Sequence, residues 1–187
     1  MSHRILECKG ILAHLDDGWA REVNVVSWED RPAMIDIRHW NEDHSRMSRG
    51  IILDEDEAIR LTDILKSRLP DTAFFDPSND TYIYESEGDR FGVKLLAILG
   101  TLSVSSSGWS KLVTISSWTG GPPKVDIRLW SPGYRYMSRG ITLSRDEAVK
   151  LALIDPSLSS ACVLTPESAV RVSPKMSDCC SMQPENI

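Results

Sequence analysis

Apolar and polar residues alternate along several short segments of the chain, a pattern that predicts β-strands with two different faces. In the second half, the segments 95–104, 109–118, 124–130 and 137–143 read as four strands separated by turn residues. Between Lys124 and Trp130 the alternation separates one apolar face from one charged and aromatic face: Val125, Ile127 and Leu129 against Lys124, Asp126, Arg128 and Trp130. We expect the first face to pack and the second to carry chemistry.

A helix is predicted directly after the fourth strand. Ser144 and Glu147 form an S-x-x-E capping box, and Asp54 and Glu57 hold the same positions in the first half. The first helix is expected to run to about Leu69 before Pro70, burying Ala58, Leu61, Ile64, Leu65 and Leu69. The second should stop after about three turns, because Asp155-Pro156 cannot continue it.

The tryptophans reveal that these elements occur twice. All six fall into pairs separated by 90 residues, Trp19 with Trp109, Trp28 with Trp118 and Trp40 with Trp130. Residues 18–64 align with 108–154 without a gap, at 21 identities in 47 positions. The predicted fold is therefore α+β, with two tandem copies of a four-stranded antiparallel sheet followed by one helix, packed as an intramolecular pseudo-dimer.

Composition suggests where the copies begin and end. We expect a first module at 1–69, an acidic linker at 70–90 that rests against the sheets, a second module at 91–154 and a disordered tail at 155–187. Net charge differs between these segments, at −4, −5, +5 and −2 respectively, for a total of −6. The second copy is therefore the better candidate for contact with a polyanion.

Several classes of protein are disfavoured by the sequence. There is no run of eighteen apolar residues and no signal-peptide core at the start, so we expect a cytoplasmic, nucleoid-associated protein that is neither secreted nor bound to a membrane. The four cysteines lack metal-ligand spacing, and all four histidines lie in the first copy. With no duplicated catalytic motif, we expect no cofactor, no metal and no enzymatic activity.

Arginine and tryptophan stand two residues apart on the third strand of each copy, as Arg38 with Trp40 and Arg128 with Trp130. A guanidinium beside an indole suits single-stranded nucleic acid, since one meets a phosphate while the other stacks on a base. Alternatively, the tryptophans cover the sheet and the arginines pair with Asp36 and Asp126. The strand pattern leaves both interpretations open.

Three further pairs of residues are candidates. Trp28 and Trp118 end the second strand beside a loop, where a large aromatic side chain either binds a ligand or folds back as a cap. Arg49 and Arg139 lie in the shared MSRGI, whose glycine permits close backbone approach. For these arginines, phosphate contact and plain solvation are alternatives. Trp19 and Trp109 follow a turn glycine and are expected to pack in the core.

These motifs together resemble the transcriptional coactivator family called positive cofactor four, especially its bacterial single-domain members. The resemblance rests on GWARE with IDIRHW in the first copy, and on VDIRLWSP with SRGITLS in the second. It implies paired sheet-and-helix modules whose curved faces bind single-stranded DNA with little sequence preference. The positions implied as nucleic-acid contacts are Arg21, Trp28, Arg38, Trp40, Arg49, Lys111, Trp118, Lys124, Arg128, Trp130 and Arg139.

The first copy departs from this pattern. It has Met34 where the second has Lys124, and its loops carry the acidic residues Glu29, Asp30, Glu42 and Asp43. The leading hypothesis is a single-strand-binding protein acting in transcription, replication or repair, with RNA as a variant ligand. The alternative is a protein-interaction scaffold whose acidic parts bind a basic partner such as a polymerase subunit or another transcription or replication protein. A monomeric pseudo-dimer is expected, and further dimerisation stays open.

Overall fold

A computed structural model describes residues 2–15, 17–76, 82–86 and 92–158 of the 187-residue chain. The first half has four strands and a helix: β1 (His3–His14), β2 (Ala20–Trp28), β3 (Met34–Trp40), β4 (Ile51–Leu53) and α1 (Glu55–Arg68). The strands form one antiparallel sheet in chain order. The tail predicted from 155 onwards lies outside the described residues after Leu158.

The second half repeats this arrangement and adds one strand. It contains β5 (Tyr84–Glu85), β6 (Val93–Val104), β7 (Ser110–Trp118), β8 (Lys124–Trp130), β9 (Ile141–Leu143) and α2 (Arg145–Leu153). Its antiparallel sheet has the order β5-β6-β7-β8-β9. The α+β class with two repeated units is confirmed, and the fifth strand comes from the segment expected to be a linker.

The fourth strand of the second half is shorter than the sequence pattern indicated. Pairing between β8 and β9 begins at Ile141, and Met137 makes only an isolated bridge with Trp130. Between them the Ser138 hydroxyl accepts a hydrogen bond from the Leu129 amide at 3.1 Å. A side chain thus replaces a backbone carbonyl at this point, and the regular ladder is interrupted.

The helices begin where their caps predict. Asp54 accepts from the Glu57 amide and Ser144 from the Glu147 amide, and in both cases the glutamate side chain bonds back to the cap residue. Ala58, Leu61 and Leu65 of α1 are buried as expected. Leu151 of α2 joins the same buried cluster, which includes residues of both sheets and both helices. The two halves therefore share one hydrophobic core.

α1 packs against β6 and α2 against β1, and a glycine in each of these strands makes room for an isoleucine of the opposite half. A Cβ added at Gly100 would lie 2.5 Å from the Cδ1 atom of Ile64, and one at Gly10 would lie 3.0 Å from that of Ile154. The two contacts are related by the 90-residue repeat. Gly100 also lies next to a register shift between β6 and β7.

Two ion pairs join the two halves, one at each helix. Lys111 of β7 pairs with Glu57 of α1 at 2.6 Å, and Arg21 of β2 pairs with Glu147 of α2 at 2.9 Å. Lys111 also donates to the Ile52 carbonyl and Arg21 to the Thr142 carbonyl, at 3.2 and 2.9 Å. All four side chains are at most 15% exposed. Each capping glutamate thus helps to fasten one half to the other.

These two charged contacts differ in their neighbours. The Ser103 hydroxyl donates to Glu57 at 2.5 Å, whereas the corresponding residue of the first half is Ala13. On the other side, Nε of Arg21 donates to Nε2 of His39 at 2.9 Å, and the corresponding residue of the second half is Leu129. Burial lowers the pKa of His39, and the charge on Arg21 lowers it further, against weaker raising effects from Glu147 and Asp17.

Replacing Lys111 with methionine tests whether this lysine fastens the halves. We expect the free energy of unfolding to fall by about 2–3 kcal/mol, because Glu57 would remain in a closed site without its cation. Urea unfolding measures this difference. Lys124→Met is the matched control, since Lys124 is exposed and should change stability by less than about 0.5 kcal/mol. Equal losses from the two substitutions would contradict the assignment.

The lowered pKa of His39 predicts a stability that depends on pH. Above the unfolded-state pKa of about 6.5 neither state binds this proton, so nothing is lost. As pH falls below that value, the unfolded state takes up the proton first and the free energy of unfolding decreases. Urea unfolding at pH 7.5 and 5.5 should show a smaller loss for His39→Leu than for the unchanged chain. An identical loss would show that His39 does not carry the effect.

Candidate nucleic-acid interface

The shortest contacts between a basic group and an aromatic ring lie where β2 adjoins β3 and where β7 adjoins β8. The Arg128 guanidinium carbon lies 4.3 Å from the centre of the Trp118 ring, and that of Arg38 lies 4.4 Å from the Trp28 ring. These distances are typical of cation–π contacts. We call each such unit an Arg–Trp plate, with Arg38 and Trp28 in the first half and Arg128 and Trp118 in the second.

A buried aspartate orients each plate. Asp36 accepts two hydrogen bonds from Arg38, both at 2.6 Å, and Asp126 accepts two from Arg128. Asp126 also accepts from the Trp118 indole at 3.2 Å and from the Thr142 hydroxyl at 2.8 Å. Burial raises the pKa of Asp36, and its ion pair with Arg38 opposes that shift. The arginines are therefore already paired with carboxylates in the free protein.

Trp40 ends β3 and Trp130 ends β8, and both are interior residues. Trp40 is 0% exposed and Trp130 1% exposed, so neither presents a face on which a base could stack in this conformation. His3 and His44 lie against Trp40, with ring centres at 4.8 and 5.6 Å, and Tyr84 and Tyr134 form T-shaped pairs with Trp130. The structure thus shows the alternative in which these tryptophans cover the sheet and the arginines pair with aspartates.

The face of β8 that was expected to carry chemistry is largely buried. Asp126, Arg128 and Trp130 are at most 8% exposed, and side chains from the linker and the β8–β9 connection pack against Trp130. Trp19 and Trp109, expected in the core, are instead half-buried. The Arg46 guanidinium carbon lies 5.7 Å from the Trp19 ring, a pairing that the sequence analysis missed.

Arg21 and Lys111, implied as nucleic-acid contacts by the resemblance, take part in the pairing of the halves. Their positive groups face Glu147 and Glu57, and each is held by a carbonyl of the opposite half as well. The repeated position carries a basic residue in both copies, and that residue reaches across the interface in both. Neither side chain is free to meet a phosphate in this arrangement.

Arg49, Arg139 and Lys124 have the opposite character. All three are exposed, and none forms an ion pair within the described part of the chain. Gly50 and Gly140, which follow the two arginines, pack tightly on β3 and β8. A Cβ at Gly50 would lie 2.5 Å from the Cβ of Arg38, and one at Gly140 would lie 2.5 Å from that of Arg128. The close approach predicted for these glycines is thus an approach between strands, which fixes each arginine beside a plate.

A groove of about 310 Å³ joins these parts. It is lined by one residue of the first half and six of the second, namely Arg49, Trp118, Arg128, Met137, Ser138, Arg139 and Gly140. Three arginines from two halves therefore face one cavity beside a tryptophan ring. Met137 and Ser138 belong to the lining although the sequence analysis did not single them out, and their place in the repeated MSRGI was the signal available.

The two plates differ in accessibility. Trp28 is 8% exposed, because the His3 ring packs 5.5 Å from it, and its indole nitrogen has no hydrogen-bond partner among the described residues. Trp118 is half-buried, and the residue corresponding to His3 is Val93, which offers no ring. The second half thus presents the more open aromatic surface.

No group of three or more histidine, cysteine, aspartate or glutamate side chains in the described part of the chain is arranged to hold a metal ion. No helix of that part is long and apolar enough to cross a membrane.

Comparison with known proteins agrees with the repeated architecture. The family model for transcriptional coactivator p15 (PC4, positive cofactor four) matches at two segments, residues 15–64 and 105–153. An uncharacterized protein of Treponema pallidum (strain Nichols) is 45% identical over 71 residues, which cover 84% of that protein and 36% of this chain. The matched stretch is thus about as long as one half of this chain and takes in most of the relative. The chain belongs to the transcriptional coactivator p15 (PC4) family, whose module it contains twice in tandem.

Proposed function

We propose that this protein binds single-stranded DNA with little sequence preference, without catalysis, and acts where DNA is melted during transcription, replication or repair. The observation that carries the proposal is the groove lined by Arg49, Arg128 and Arg139 together with Trp118. Family membership supports a nucleic-acid ligand and a coactivator type of role. In this proposal residues 1–69 and 91–154 act as two modules of one binding surface.

Phosphate and base contacts fall on different side chains of this surface. Arg49, Arg139 and Lys124 are exposed cations without a carboxylate partner among the described residues, so they meet phosphates and release counterions. Arg128 is neutralised by Asp126, and its main role is to hold the Trp118 ring from one side. The open part of the ring then stacks on a base, which requires no particular sequence.

The second half supplies most of the affinity in this proposal. The first plate is covered by His3, and its neighbouring loop exposes Glu29 and Asp30, where the second half has Thr119 and Gly120. Like charges beside the plate repel phosphates. The first half contributes Arg49, which reaches the groove of its neighbour.

A second candidate function is binding of a basic protein partner by the first half. It is favoured by the exposure of Glu29, Asp30, Glu42 and Asp43 in two loops of that half. None of these four residues lines the arginine-lined groove. The two functions are therefore compatible in one molecule, with DNA on the groove and a polymerase-type protein on the acidic loops.

Replacing the two plate tryptophans one at a time tests which half binds. We expect Trp118→Ala to weaken binding of a labelled twenty-nucleotide oligo(dT) by roughly 5- to 150-fold, the worth of one stacked base. Trp28→Ala is the matched control and should leave the affinity nearly unchanged. Fluorescence anisotropy reports both, and urea unfolding verifies that each variant is folded. A loss confined to Trp28→Ala would reject the assignment to the second half.

Removing Arg49 tests whether the first half completes the groove of the second. We expect Arg49→Ala to weaken oligo(dT) binding and to reduce the slope of log affinity against log salt concentration by about 0.7, the value for one phosphate on a single strand. Arg31→Ala serves as control, because Arg31 is also exposed but lies near Glu29, at 3.7 Å. An unchanged slope in Arg49→Ala would show that this arginine makes no phosphate contact.

A further inference from the structure

The short strand β5 occupies a defined place on the second sheet. It pairs with the start of β6 in the register Tyr84 with Leu95 and Glu85 with Lys94. The amide of Ile83 donates to the Leu95 carbonyl at 2.7 Å, and that of Ser86 donates to the Val93 carbonyl at 3.0 Å. The outward backbone groups of Val93 and Leu95 are therefore used by a segment of the chain itself.

The same place on the first sheet has no such segment within the described residues. β1 lies at the edge of its sheet, and β2 is the one strand that pairs with it in the described part of the chain. By the 90-residue repeat, His3 and Ile5 correspond to Val93 and Leu95, so their backbone groups point away from β2. An edge of this kind is a template for another strand, and strand addition is a common way to bind an extended peptide.

We propose that the β1 edge at His3–Ile5 binds an extended segment of another protein, antiparallel to β1, with an acidic residue opposite Arg4. Arg4 is exposed and corresponds to Lys94, which pairs with Glu85 of β5 at 3.5 Å. The charge of the bound segment follows from this correspondence. Opposite charges placed across two strands favour pairing, whereas like charges oppose it.

Charge also argues against a second copy of this chain as the occupant. Two β1 edges in the equivalent antiparallel register would place Arg4 directly opposite Arg4 of the second copy, which is unfavourable.

Aromatic contacts further restrict the residue that the bound segment can place opposite Ile5. On the second sheet Tyr84 packs against Trp130, but on the first the His3 ring already lies 4.8 Å from Trp40. The residue opposite Ile5 is therefore expected to be β-branched rather than aromatic.

A peptide based on β5 tests the proposal on the full chain. The first probe is a fluorescein-labelled peptide spanning residues 81–88 with Tyr84→Val, and the second carries Glu85→Lys in addition. We expect the acidic probe to bind the unchanged chain, and Arg4→Glu to weaken this binding about threefold to tenfold. Arg4→Glu should prefer the Lys probe instead. Hydrogen exchange should slow at the Ile5 amide when the acidic probe is added.

Four outcomes would overturn this inference. The first two are absence of binding at about 1 mM of the acidic probe and equal binding of that probe by the unchanged chain and Arg4→Glu. The third is slower hydrogen exchange on β6 instead of β1. The fourth is concentration-dependent dimerisation of the unchanged chain that Ile5→Pro abolishes. The charge exchange between Arg4→Glu and the Lys probe does not depend on how Ile5→Pro folds. Oligo(dT) binding is measured in parallel and should be the same with and without the probe, since the edge and the groove use different residues.

Discussion

The packing of α1 on β6 and of α2 on β1 is the constraint on which the rest of the structure depends. A half of about 65 residues is marginal for independent stability, because it buries too little of its own surface. Here α1 and α2 complete a core that neither sheet closes alone, and Gly10 and Gly100 admit the isoleucines that do so. The buried charged pairs at Glu57 and Glu147 then fix the orientation of the halves.

The groove depends on the packing of the two halves, because residues of both halves line it. Arg49 of the first half lines the same cavity as Trp118 of the second because the halves are held in one orientation, so the cavity is a property of the pair and not of either sheet. Buried residues underneath serve the same end. Asp126 holds both members of the second plate, and Trp130 supports the sheet below them. Interior polar contacts thus position a surface that is itself open to solvent.

Sequence patterns predicted the elements better than the surroundings of individual side chains. Periodicity identified β8 to the residue, and the S-x-x-E and D-x-x-E boxes located both helix starts, because these signals are local. The two residues of β5 are too few to show a period. Alternation along β3 and β8 could not reveal that His3, His44, Tyr84 and Tyr134, distant in sequence, cover Trp40 and Trp130. Nor could it show that Arg21 and Lys111 face the opposite helix, since a basic residue on a strand looks the same in either role.

The connection between α1 and β6 joins the two halves covalently, and this has a consequence for the concentration at which the protein works. Modules on separate chains must meet by diffusion and separate on dilution. Modules joined in one chain experience an effective concentration on the order of millimolar, whatever the amount of protein present. The arginines of both halves therefore stay assembled around one groove at protein levels at which a non-covalent pair would come apart, and each half is free to diverge because it always meets the same partner.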